Sequence, residues 1–220
     1  MQQLMEAVPR LNDIATRCGL DSDDVQRALG RLWQAGSALA GQTGGLPADT
    51  SGRLVDGFTR NLDQDPMLIG WALRVASRLG ETAWQRFFDN FVVRMVTERP
   101  ALVARLRDEL GMVPPMTLVV NPTMACNLRC RGCYAFEFSR SESMDPELFR
   151  RIVREARDMG IRFLTVTGGE PYAYKPLVDL AMEFPDMMFL TYTNGTLIND
   201  KMADRIAAAG NIMPALSVEG

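Results

Sequence analysis

Three of the chain's four cysteines stand within eight residues, in the run Cys126-Asn127-Leu128-Arg129-Cys130-Arg131-Gly132-Cys133-Tyr134. Their spacing is C-x3-C-x2-C. A short loop of that spacing can fold around one corner of a cubane and present three thiolates to three irons. A four-iron cluster normally takes four cysteines. The remaining one, Cys18, lies more than a hundred residues away. One iron would therefore keep an open position, which is where a small molecule binds and reacts. A zinc site is the other metal reading. It wants four ligands, and the chain has no histidine, so an Asp, a Glu or a partner chain would have to complete it. A disulfide framework does not suit a chain that reads as non-secreted.

Three further stretches carry polar groups at the ends of apolar runs: Gly168-Gly169-Glu170-Pro171, Thr193-Asn194-Gly195-Thr196 and Ser217-Val218-Glu219-Gly220. Gly168 and Gly169 would let backbone approach a ligand with no Cβ in the way. Glu170 offers a carboxylate, whose natural partner is a cationic ammonium. Ser217 and Glu219 alternate with Val218 and share one side of an extended chain, where they could bond ribose hydroxyls. Taken singly, each stretch also reads as a turn or a solvated strand end.

These motifs need elements to place them. Thr117–Asn121 is a short apolar run consistent with a buried strand, and the cysteine loop follows it. Asp145-Pro146 opens a helix that faces Leu148, Ile152, Val153, Ala156 and Met159 inward and stops at Gly160. Ile161–Thr167, Met187–Thr193 and Ile212–Val218 read as strands. Helices over Leu177–Phe184 and Asp200–Ala209, the latter capped by Asn199, separate them. Pro214 marks the fourth strand as starting late or lying at an edge. Alternating strands and helices predict a parallel sheet with right-handed crossovers. In such sheets the carboxyl ends of the strands share one face, where sites are built, so all four motifs converge on one mouth.

Jointly, residues 117–220 resemble the radical SAM superfamily. The resemblance implies an α/β fold, a partial parallel (β/α) barrel, here seen through its fourth strand and apparently truncated there. It implies a [4Fe-4S] cluster on Cys126, Cys130 and Cys133, with S-adenosylmethionine chelated to the open iron. Reductive cleavage then yields a 5′-deoxyadenosyl radical that abstracts hydrogen from a small-molecule or peptide substrate. Gly168, Gly169 and Glu170 look like the motif that receives the methionine ammonium. Ser217 and Glu219 look like the ribose-binding strand end, and Thr193 and Asn194 match the third strand end. A reducing partner such as a flavodoxin or ferredoxin is implied. The sequence departs from the family where an aromatic often precedes the third cysteine: Gly132 stands there, with Tyr134 just beyond. A cluster- or zinc-binding interaction module without turnover is the alternative.

Residues 1–113 read as a helical domain and 114–220 as the (β/α) core, joined through Met112-Val113-Pro114-Pro115. Val25, Ala28, Leu29, Leu32 and Trp33 mark one helix face, with Asp21 or Ser22 as its cap. Gly41–Pro47 reads as a loop, Ala48–Asn61 as a helix, and Asp65-Pro66 as the start of the next. Thr82–Glu98 and a helix from Pro100 to Gly111 follow. Trp71, Trp84 and Phe87, Phe88 and Phe91 read as bundle core, and Cys18 as a structural thiol. The 220 residues are 47% hydrophobic and 23% charged, as in ordinary globular proteins. With 24 basic and 27 acidic residues and no basic stripe, nothing signals nucleic acid. The N-terminus lacks the pattern of a signal peptide, and no stretch approaches the ~20 apolar residues of a membrane span. The expected setting is the cytoplasm. Without histidine, His-based acid–base catalysis and the Ser-His-Asp triad are excluded.

Overall fold

The computed structural model describes residues 2–42 and 66–218. The expected helix at 48–61 and the Asp65 cap lie outside them. The described residues divide into two compact units, within 1–79 and 80–220. The change from helical to strand–helix sequence falls near 113, whereas the change of packing unit falls at Leu79–Gly80.

Among the described residues, the first unit has α1 (Gln2–Arg17), α2 (Ser22–Gln42) and α3 (Pro66–Arg78). Asp21 caps α2, its carboxylate accepting the Asp24 N–H at 2.8 Å. The helix runs on through Gly41 and Gln42, which the sequence reading had placed in a loop. Leu11, Ile14, Ala15, Val25, Ala28, Ile69, Leu73 and Ala76 are buried among the three helices. Cys18 packs on Gly70, where a Cβ would fall 2.0 Å from the thiol sulfur. Trp71 is not core: it is 58% exposed. It lies between Gly70 and Ala72, off the stripe that Ile69, Leu73 and Ala76 bury.

The second unit begins with α4 (Glu81–Phe87), a π-helical stretch over Phe88–Val93, α5 (Arg94–Thr97) and α6 (Arg99–Leu110). Four parallel strands follow: β1 (Thr117–Thr123), β2 (Phe163–Gly168), β3 (Met188–Thr193) and β4 (Ile212–Leu216). Their order in the sheet is β1-β2-β3-β4, the sequential order of a barrel wall. Helices α7 (Pro146–Asp158), α8 (Leu177–Glu183) and α9 (Asp200–Ala209) make the crossovers. Asp145 caps α7 by accepting the N–H groups of Glu147 and Leu148, and Asn199 caps α9.

One face of the sheet is sealed by these helices. Val120, Leu164, Val166, Phe189 and Ile212 pack with Phe149, Val153, Ala156, Leu177, Leu180, Ala181 and Ile206. Phe149, not Leu148, heads the inward stripe of α7; Leu148 is 39% exposed. Phe149, Val153 and Ala156 fall at i, i+4 and i+7, and Leu148 lies one residue off that row. The opposite face is the more open one: Val119 is exposed, and Thr165, Leu190 and Met213, aligned with it by register, are half-buried. Pro214 sits within β4 against Thr191. Because β4 has one neighbour, the missing N–H can face outward without breaking the ladder.

The helices before β1 belong to this unit through specific bonds. Asn90, in the π-helical stretch, is buried and donates to the Pro185 carbonyl at 2.9 Å. Arg162 pairs with Asp186 at 2.9 Å and with Glu98 at 3.1 Å. Arg99 donates to the carbonyls of Gly160 and Pro114.

Candidate iron–sulfur site

The cysteine loop follows β1, Gly168 and Thr193 end β2 and β3, and Ser217 follows β4, so the four motifs meet the carboxyl edge of the sheet. β1 is longer than expected and carries Asn121 and Pro122 through a register shift to Thr123. From Thr123 the chain leaves as the cysteine loop and returns beside itself. Thr123 and Ser143 form an antiparallel bridge, the Met124 N–H donates to Glu142 O at 2.9 Å, and the Met144 N–H to Pro122 O at 2.7 Å. The Thr123 hydroxyl is shared with Ser143 Oγ at 2.6 Å and receives the Ala125 N–H. A loop of about twenty residues therefore hangs from one closed neck, compact in the way of an Ω-loop.

Within that loop all three cysteines are free thiols; Cys126 is half-buried and Cys130 and Cys133 are exposed. The Cys133 N–H donates to Cys130 O at 3.3 Å across a turn in which Gly132 has φ +78°. Positive φ explains the glycine where an aromatic would have been strained. Among the described residues no three Cys, Asp or Glu side chains gather around one point. Three free thiols on one pinned loop are the donor set a multi-iron cluster takes.

Gly168 and Gly169 serve the protein's own backbone. A Cβ on Gly168 would fall 2.4 Å from Thr123 O, and one on Gly169 would fall 2.3 Å from Ala125 O. At this distance the Gly169 N–H donates to Thr123 O and the Glu170 N–H to Ala125 O, at 2.9 and 2.8 Å. The glycine pair thus clamps the root of the cysteine loop. Tyr134 adds a bond from above, its hydroxyl donating to Gly168 O at 3.1 Å while the ring stays 54% exposed.

Glu170 differs from its expected placement. The sequence reading put its carboxylate in the mouth, whereas it is 1% exposed. Its Oε1 accepts the Tyr172 N–H at 3.1 Å and the Thr193 hydroxyl at 2.6 Å; Oε2 accepts the Asn194 N–H at 2.9 Å. The side chain ties the end of β2 to the end of β3. Thr193 is likewise enclosed, 2% exposed, and its hydroxyl also accepts the Gly195 N–H. Asn194 is half-buried beside Cys126. Ser217 lies past the end of β4, exposed, its N–H donating to Thr193 O at 2.9 Å. Glu219 lies outside the described residues. Burial pushes the Tyr172 phenol up to about 12, with the Glu170 carboxylate adding to the rise and the hydrogen bond to Thr191 opposing it.

Asn127, Thr196 and Arg140 belong to the site and were not among the expected residues. Arg140 donates to Cys126 O at 3.0 Å, and Asn127 donates to the Thr196 hydroxyl at 2.7 Å. Only the Thr-Asn-Gly-Thr run hinted at Thr196. Nothing local marks Asn127 and Arg140: Asn127 meets Thr196 and Asn194 from beyond β3, and Arg140 meets Cys126 O only once the loop has folded.

A sequential parallel sheet with three free thiols on a loop at the carboxyl end of its first strand defines an α/β domain with a candidate iron–sulfur site. Residues 120–220, a little under half of the chain, match the family model of the radical SAM superfamily, whose members use a [4Fe-4S] cluster and S-adenosylmethionine. The chain is 32% identical over 106 residues to a probable GTP 3′,8-cyclase of Archaeoglobus fulgidus, covering 48% of this chain and 36% of that protein. It is 32% identical over 101 residues to a PqqA peptide cyclase of Granulibacter bethesdensis, covering 44% and 27%. Among solved structures, Streptococcus suis SuiB bound to precursor peptide SuiA aligns with TM-score 0.45 and 27% identity, over 53% of this chain and 27% of that one. The chain spans about a third of the length of the curated relatives it matches first. No described helix is long and apolar enough to cross a membrane.

Proposed function

We propose that this chain is the part of a radical SAM enzyme that binds the cluster and S-adenosylmethionine. The reaction is reductive cleavage to a 5′-deoxyadenosyl radical, which takes hydrogen from a substrate. The observation that carries this reading is the neck: three free thiols on a loop whose root is clamped, backbone to backbone, by Gly168 and Gly169. Cys126, Cys130 and Cys133 would hold the cluster, which supplies one electron and an open iron. With Gly168 and Glu170 buried and Gly169 half-buried, the main chain at Gly169 is what can reach a methionine ammonium. Ser217, together with Glu219, would take the ribose hydroxyls. The more open sheet face of Val119, Thr165, Leu190 and Met213 then receives the substrate, a small molecule or a peptide. An external donor of the flavodoxin or ferredoxin kind and a cytoplasmic setting complete the reading.

Anaerobic reconstitution with iron and sulfide tests it. Four irons per chain, charge-transfer absorption and release of 5′-deoxyadenosine from S-adenosylmethionine under dithionite are expected. Cys130→Ala should lose the cluster, because two thiolates hold a cubane poorly. Stoichiometric zinc with no iron uptake would instead establish a non-catalytic metal-binding module.

A further inference from the structure

Beyond the three cysteines, Asn194 ends β3 beside the first of them. Its Nδ2 lies 3.8 Å from Cys126 Sγ and 3.1 Å from Asn127 Oδ1. Its Oδ1 accepts from the Thr196 N–H at 2.9 Å and from the Thr196 hydroxyl at 2.7 Å. A backbone N–H can only donate, so the atom facing it must be the amide oxygen, and the orientation of the amide is settled. The nitrogen then faces Asn127 and the sulfur. Asn127 Nδ2 donates to Thr196 Oγ1 at 2.7 Å, which closes a ring. Asn194 donates to Asn127, Asn127 to Thr196, and Thr196 back to Asn194, each group giving one hydrogen and taking one.

This ring uses both acceptor positions of the Asn194 amide and one of its two hydrogens. The last hydrogen points at Cys126 Sγ. Nothing on the amide is left for a second ligand. The Leu128 N–H also lies 3.4 Å from that sulfur. Among the described residues, no such donor is recorded on the sulfurs of Cys130 or Cys133. The β3 end is itself fixed, since the Asn194 N–H is held by Glu170 and the Thr193 carbonyl by Ser217.

We infer that Asn194 is a positioning residue that donates a hydrogen bond to the Cys126 thiolate and thereby sets the reduction potential of the cluster, without touching S-adenosylmethionine. The inference rests on the cysteine assignment proposed above. Hydrogen bonds to ligand sulfur stabilise the more negative, reduced cluster and raise its potential. Asn194→Leu keeps the approximate shape, removes both Nδ2 hydrogens and adds no charge beside the sulfur.

The test is an EPR-monitored redox titration of the reconstituted chain, with iron counted in each sample. Failure of the parent to take up iron would count against the cysteine assignment, which the reconstitution above already decides. With four irons in parent and variant, Asn194→Leu should titrate at a more negative potential, while the affinity for S-adenosylmethionine of the oxidised protein stays within about threefold of the parent. An unchanged potential overturns the inference, and so does a large loss of affinity at unchanged potential. Should Asn194→Leu take up less iron, Asn194→Ser replaces it: every thiolate remains, and the shortened side chain loses the Nδ2 hydrogens that face Cys126 Sγ. A lower potential there supports the inference, and a potential equal to the parent's overturns it.

Discussion

Glu170→Gln separates a carboxylate that binds a ligand from one that builds the site. The parent side chain accepts three hydrogen bonds, at 2.6, 2.9 and 3.1 Å, while 1% exposed. Glutamine brings one oxygen and one NH2. If the oxygen keeps Tyr172 and Thr193, the NH2 faces the Asn194 N–H, donor against donor. A buried donor left unpaired costs ~1–3 kcal/mol, and the two surviving bonds lose their charge assistance, so about 2–4 kcal/mol in all is expected. Against a domain stability of roughly 5–15 kcal/mol this is a large fraction. Urea unfolding of the iron-free chain should show a clearly lower midpoint with an unchanged slope. Iron uptake should fall as well, since the displaced Asn194 abuts Cys126. A carboxylate that instead bound the methionine ammonium would behave differently: stability would hold, and affinity for S-adenosylmethionine would fall roughly 10- to 150-fold, the worth of one charge-assisted bond. A parent-like midpoint with that loss of affinity, measured by isothermal titration, would refute the positioning role.

Two further outcomes follow from the same geometry. Gly169→Ala places a methyl group 2.3 Å from Ala125 O and 2.5 Å from Met124 O. Both are backbone atoms, so the cysteine loop itself must move; iron per chain after reconstitution should drop severalfold, whereas Gly30→Ala, which meets open space, should leave it unchanged. Tyr172 has its phenol raised from 10.0 to about 12 in the folded chain. Its contribution is therefore complete below pH ~10 and is lost as pH rises through ~12, because the unfolded chain releases that proton first. Unfolding midpoints measured between pH 9 and 12 should fall more steeply in the parent than in Tyr172→Phe, and parallel slopes would show that this phenol is not responsible.

The cysteine spacing was legible because a cluster loop is a local object: three ligands within eight residues need no distant partner to be recognised. The strand–helix alternation was legible for a similar reason, since 2.0 and 3.6 periodicity and caps such as Asp145 and Asn199 are written along the chain. That all four motifs share one edge followed from parallel topology alone. Other features were decided only by the tertiary structure. Whether Glu170 faces the mouth or the interior depends on where Thr193 and Asn194 come to rest, more than twenty residues on. The reason for Gly168 and Gly169 is the approach of Thr123 and Ala125 from another strand, which no reading of the Gly-Gly pair could supply. The packing unit that takes in α4 to α6 depends on Asn90, Arg99 and Arg162 reaching carbonyls and carboxylates far along the chain. Helical pattern places such residues on a face, but it does not say what that face will meet.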